Sequence, residues 1–178
     1  MLSYESLFQI PIITIDVNDW KNKKNKVLKI FKSYPEEKTG IQKFYTNKKR
    51  TDITALIDFS DVFAEELNEL TTFLKKDIKI TDIWTVTYKK GDYQPVHNHG
   101  SSGLTGIIYL DHQKDGSKTT FIQPWNDIFV DETIHATPQE VEGKILLVPS
   151  FINHFSDPID IGKKRILSFD LKLLTNNN

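Results

Sequence analysis

From about residue 82 the spacing of apolar residues changes from helical to period two, and this change most constrains the fold. Ile83 to Lys89, Thr105 to Asp111, Thr119 to Gln123, Ile128 to Val130, Lys144 to Val148 and Arg165 to Leu173 all read as strands. Turn-forming residues separate them: Gly91 with Asp92, Asp115 with Gly116, Glu142 with Gly143, Pro149 with Ser150, and Gly162. Short strands following a helical half predict a mainly β, α+β chain, a sandwich or barrel with helices on one side. The expected organisation is a single domain over 1–178, with helical support over 1–80 and a β core over 81–174.

Two helices are predicted in the first half. Asn18 or Asp19 caps one whose apolar stripe is Val27, Ile30, Phe31 and Tyr34, with Pro35 as its stop. The other starts at Ser60. Asp61, Glu65 and Glu66 lie near its positive end, Lys75 and Lys76 near its negative end, and Phe63, Leu67, Leu70 and Leu74 form its stripe. The Asn176–Asn178 tail is expected to fray.

Composition removes several classes of function. The chain has no cysteine, so disulfides, thiolate metal sites, iron–sulfur clusters and cysteine nucleophiles are excluded, and a cytoplasmic setting is expected. The longest apolar run, Ile145 to Pro149, is far too short to span a bilayer. The N-terminus does not read as a signal peptide, because Glu5 interrupts it and no basic stretch precedes Leu7 and Phe8. Residues 1–50 hold 11 Lys/Arg against 5 Asp/Glu. Lys21, Lys23, Lys24 and Lys26, with Lys48, Lys49 and Arg50, are read as a solvated helix face and a basic loop. No aromatic interleaving or nucleic-acid motif accompanies them, so no nucleic-acid or membrane partner is expected.

Three histidines sit where chemistry is expected. His97 and His99 lie between two predicted strands, and in extended chain residues i and i+2 project to the same face. His154 follows the strand ending at Pro149 and can reach the same point from a neighbouring strand. Three neutral imidazoles suit iron, zinc, nickel or copper; the bland alternative is a polar loop with hydrogen-bonded histidines. Arg165 alternates with Leu167, Phe169 and Leu171 on the strongly apolar face of the last strand, the face expected to point inward. A guanidinium there needs an anion, either an internal carboxylate from Asp157 or Asp160 or a ligand carboxylate. Tyr88, alternating with Trp84 and Val86, and Tyr109, sharing a face with Thr105 and Ile107, are placed inside the barrel.

The ordered set Trp84, Tyr88, Gly91, His97-x-His99, Gly106, Tyr109-Leu110, Glu142-Gly143, Pro149-Ser150, His154, Arg165 and Ser168-Phe169 resembles the 2-oxoglutarate/iron(II) oxygenases of phage and marine bacterial genomes, relatives of the prolyl 4-hydroxylases. The resemblance covers roughly residues 82 to 173. It implies a double-stranded β-helix (jelly roll) as the catalytic core, with Fe(II) as cofactor and 2-oxoglutarate as cosubstrate. It makes His97, His99 and His154 the iron ligands and Arg165 the partner of the cosubstrate's distal carboxylate. Tyr109 would assist Arg165, and Tyr88 would bond near the metal-bound end. The implied activity is hydroxylation of a peptide side chain or small molecule with release of succinate and CO2. Two departures stand out: His99 replaces the usual Asp or Glu of the triad, and Leu167 follows where some relatives carry Ser. Asp92, beside its turn, is a poor substitute for the missing carboxylate.

Two other readings stay open. Gly91-x5-His97-x-His99 and Gly143-x5-Pro149 before His154 also resemble a cupin, although positions 102–104 lack that family's Glu. A non-catalytic jelly roll could instead bind a ligand through the Pro124–Pro138 loop, with Trp125, Phe129 and His135, which serves equally as a substrate lid. His112 is read as an exposed loop residue without function. Whether the chain forms a homodimer stays open.

Overall fold

The computed structural model describes residues 8–40, 44–112 and 117–174. The turn expected at Asp115 and Gly116, the start of the chain through Leu7, and the Asn176–Asn178 tail lie outside the described residues. In chain order the elements are β1 (Ile13–Asp16), α1 (Trp20–Phe31), β2 (Glu37–Lys38), β3 (Tyr45–Thr46), α2 (Ile53–Val62), α3 (Ala64–Leu74), β4 (Ile78–Lys89) and β5 (Gln94–His97). They continue with β6 (Leu104–Asp111), β7 (Thr119–Asp127), β8 (Glu132–Ala136), β9 (Lys144–Pro149), β10 (His154–Ser156) and β11 (Lys163–Leu173).

The strands form two antiparallel sheets, a larger one ordered β1-β9-β6-β11-β4-β3-β2 and a smaller one ordered β5-β10-β7-β8. Between them lies one apolar core, built from Trp84, Val86, Ile107, Leu146, Val148 and Ile166 against Phe121 and Ile152. A second core lies between the larger sheet and the helices, where Val27, Phe31, Phe59, Phe63 and Leu70 meet Ile83, Ile108, Leu147, Leu167 and Phe169. The central strands of the larger sheet are therefore buried on both faces. That is why β6 has seven consecutive buried residues although it lies in an antiparallel sheet. Gly106 is required where β6 pairs with Phe169 of β11. A Cβ there would lie 2.1 Å from Cζ of Phe169, whose ring packs on Phe59 at 5.0 Å.

The β half follows the periodicity closely, with β4, β6, β7, β9 and β11 spanning five of the six predicted strands. Ile128 to Val130 is instead the turn of the β7–β8 hairpin, where Asp127 Oδ1 accepts from the amides of Phe129 and Val130. The N-terminal half is less purely helical than expected, because β1, β2 and β3 extend the larger sheet at its edges. α1 ends at Phe31, before Tyr34, and its Asp19 N-cap adopts a left-handed conformation without a side-chain cap bond. The helix expected from Ser60 is two helices broken at Phe63. The first begins at Ile53, where Asp52 accepts from the amides of Thr54 and Ala55.

The basic stretch is not uniformly solvated. Lys23 is buried and donates to both carboxylate oxygens of Glu66 at 2.8 and 2.9 Å. Lys48 lies over the ring of Trp84 at 3.7 Å, and Arg50 pairs with Glu37. Among the described residues, no helix is long and apolar enough to cross a membrane.

Candidate metal centre

The short strands of the smaller sheet bring the three histidines together. His97 ends β5 and pairs in register with His154, the first residue of β10. His99 lies just beyond β5, held by its amide bonding to the Ser150 carbonyl at 2.9 Å. One ring nitrogen from each histidine lies within 4.8 Å of the other two. The adjacency expected from the His-x-His spacing and from His154 is thus realised.

The other ring nitrogens orient the set. His97 Nδ1 contacts the Pro95 carbonyl at 2.9 Å, His154 Nδ1 the Ile152 carbonyl at 3.0 Å, and His99 Nδ1 the Asp170 carboxylate at 2.7 Å. Those acceptors take the Nδ1 proton, so Nε2 is the nitrogen that carries the lone pair in the neutral ring. At His97 that lone pair faces the Gln94 amide, 2.9 Å away, and Gln94 in turn accepts from the Tyr88 hydroxyl. Burial lowers the proton affinity of His97, and burial with the neighbouring His97 pushes His154 down to about 3. Three imidazoles with one nitrogen of each within 4.8 Å of the others fit a divalent transition metal, iron included. Trp84 stacks on His99 at 5.4 Å, closing one side.

The expectation for Arg165 fails. β11 alternates, and its Leu167, Phe169 and Leu171 face the helices, not the barrel. Arg165 shares that outward face. Its Nε lies 3.5 Å from Glu36 without a hydrogen bond, and neither Asp157 nor Asp160 pairs with it. The inward face is Lys164, Ile166, Ser168 and Asp170, opposite Tyr88, Val86 and Trp84 of β4. The strongly apolar face of a strand covered on both sides belongs to the dry helix layer, and the mixed face lines the polar site. Leu167 is therefore not a site position.

Lys164 is the cation inside the barrel. It is 2% exposed, and its ammonium donates to Glu140 Oε1 at 2.7 Å, Thr119 Oγ1 at 3.0 Å and the Ser117 carbonyl at 3.3 Å. Burial lowers its pKa, against the opposing pull of Glu140. Tyr109 lies inside, as expected, but its ring is 5.5 Å from the Lys164 ammonium and its hydroxyl donates to Thr119. Burial raises the pKa of both Tyr88 and Tyr109, so both keep their protons. His112 is not the exposed residue expected: its side chain is 9% exposed and its Nδ1 lies 3.0 Å from Glu140 Oε2. Asp92 stays in its turn, accepting from the Lys89 amide. His135 and Trp125 are exposed on the β7–β8 hairpin.

Sequence reasoning missed Lys164, Asp170, Gln94, Thr119 and Glu140. A signal existed for Lys164 and Asp170, which are charged residues alternating on one face of an otherwise apolar strand. Glu140 sits in a connection without regular structure, where periodicity is silent.

Residues 82–170 match the model of a family described as 2OG-Fe(II) oxygenase. Among solved structures, a 2OG-Fe(II) oxygenase-family oxidoreductase from Burkholderia pseudomallei is similar at TM-score 0.69 and 10% identity, covering 90% of this chain and 84% of that one. The viral collagen prolyl hydroxylase of Paramecium bursaria Chlorella virus-1, in its 2OG complex, is similar at TM-score 0.58 and 14% identity, covering 90% and 94%. HygX from Streptomyces hygroscopicus, bound to nickel, 2-oxoglutarate and hygromycin B, is similar at TM-score 0.64 and 10% identity, covering 90% and 82%. At these identities the likeness is one of fold, the double-stranded β-helix. A search of curated protein sequences finds no match.

Proposed function

The chain belongs to the 2OG-Fe(II) oxygenase family, and from that premise we propose that it is a hydroxylase acting on a peptide side chain or a small molecule. In this reading His97, His99 and His154 hold Fe(II) through Nε2. Lys164, not Arg165, receives the distal carboxylate of 2-oxoglutarate, with Thr119 and Tyr109 beside it. Iron(II) supplies the redox chemistry by which 2-oxoglutarate, O2 and a C–H bond become succinate, CO2 and an alcohol.

The protein residues position the reactants. Nδ1 anchors on Pro95, Ile152 and Asp170 fix the three rings, with one nitrogen of each close to those of the other two. Tyr88 holds Gln94 against His97 Nε2, so the Gln94 amide caps that nitrogen and has to give way when a metal takes its lone pair. Trp84, Val86 and Ile166 keep the interior apolar around the reacting centre, and excluding water strengthens each polar contact there. The absence of cysteine fits a reducing cytoplasm.

The observation that carries the proposal is the convergence of three imidazoles within 4.8 Å, in a barrel whose opposite sheet holds a buried lysine. Anaerobic Fe(II) titration with 2-oxoglutarate tests it, read by the weak visible charge-transfer band of the chelate. The band is expected in the wild type and in Arg165→Met, and absent in His154→Ala. Metal bound without a band points to a cupin-like centre, and a band lost in Arg165→Met restores the arginine as the anchor.

A further inference from the structure

An ammonium has three hydrogen-bond donors, and those of Lys164 are all engaged, by Glu140, Thr119 and Ser117. No donor is left for an incoming carboxylate while Glu140 stays. Glu140 is itself poorly satisfied. Its side chain is 1% exposed, and Oε1 accepts from both Lys164 and the Thr119 amide. Oε2 is buried without a hydrogen bond, and its neighbour there is His112 Nδ1, 3.0 Å away. An unpaired buried oxygen costs free energy, so Glu140 is held less tightly here than a fully satisfied carboxylate would be. It also sits on the β8–β9 connection, whose Pro138, Gln139 and Val141 line an open cleft beside Tyr109.

We propose that Glu140 is an internal stand-in for the distal carboxylate of the 2-oxo acid, and that the cosubstrate binds by carboxylate exchange on Lys164. The inference rests on the reading of Lys164 as the cosubstrate anchor. Exchange keeps the buried charge constant, since one carboxylate leaves as another arrives. A 2-oxo acid without a distal carboxylate needs no exchange and gains nothing from Lys164. Glu140 therefore sets how strongly the site prefers a dicarboxylate, and it acts as a specificity-determining residue.

The test compares 2-oxoglutarate with 2-oxopentanoate, which has the same carbon chain without the distal carboxylate. Both are titrated calorimetrically into the anaerobic Fe(II) protein. Glu140→Gln keeps the size of the side chain and an acceptor for the Thr119 amide but frees the lysine charge. It is expected to tighten 2-oxoglutarate at least tenfold and to leave 2-oxopentanoate within about twofold. Glu140→Asp, shorter by one methylene, is expected to shift the ratio in the same direction by less, and it serves if the Gln variant folds poorly. Parallel changes for both acids, or an unchanged ratio, overturn the exchange. Wild-type protein that binds both acids equally, with Glu140→Gln doing the same, removes the anchor role of Lys164 and the inference with it.

Discussion

Asp170 offers the sharpest test of how the proposed site would hold a metal without a carboxylate in its triad. Its Oδ1 faces His99 Nδ1 at 2.7 Å and accepts from Thr105 Oγ1 at 2.9 Å, with side chains 15% exposed at Asp170 and 6% at His99. The carboxylate thus lies one imidazole away from the ligand point, bringing negative charge to His99 and fixing its ring. A hydrogen bond to a charged acceptor contributes about 1.5–3 kcal/mol. Loss of such an outer partner weakens metal binding by roughly 10–100-fold, which is about 1.4–2.7 kcal/mol. The two ranges agree. Asp170→Asn keeps an acceptor oxygen but loses the charge, so the lower end is expected; Asp170→Ala loses both, so the upper end is expected. Anaerobic Co(II) or Fe(II) titration against a competing chelator reads the dissociation constant directly, independently of turnover. Thermal unfolding of the apoproteins separates folding damage from loss of the metal. An Asp170→Ala variant that binds within twofold of the wild type would refute the argument, and the imidazoles alone would then suffice.

Two further substitutions examine the scaffold. Gly106→Ala places a Cβ 2.1 Å from the buried ring of Phe169, so a loss of about 3 kcal/mol is expected. Denaturant midpoints check it, and Phe169→Leu in the same chain is expected to recover part of the loss. Lys23→Met leaves the Glu66 carboxylate, whose side chain is 2% exposed, with the Asn18 amide as its remaining partner, and is expected to lose about 3 kcal/mol. Adding Glu66→Leu is expected to restore most of that stability in chemical unfolding, and no recovery would mean the pair is not what stabilises the junction of α1 and α3.

The parts of the site that depend on local geometry were legible. Two side chains at i and i+2 of extended chain share a face whatever surrounds them, so His97 and His99 announced themselves as a pair. Tyr88 and Tyr109 were placed inside the barrel by the same alternation, and five of the six strands followed from it. The early strands β1 to β3, of two to four residues, carry too little pattern to show, and the α2 start hides because its apolar stripe runs on toward the next helix.

The sequence by itself determined a β-rich fold, the absence of thiol chemistry and the histidine set. Only the tertiary structure decided which face of β11 looks into the barrel. Alternation divides a strand into two faces but does not say what covers each, and here both are buried, one by helices and one by the smaller sheet. Arg165 and Lys164 are neighbours in the chain, and that choice of face sends one to Glu36 and the other to Glu140. The contacts of Asp170 with His99 and of Glu140 with Lys164 join residues 71 and 24 positions apart. No periodicity encodes such pairs, because they come from the order of strands across the sheets and from a connection that has no repeat of its own.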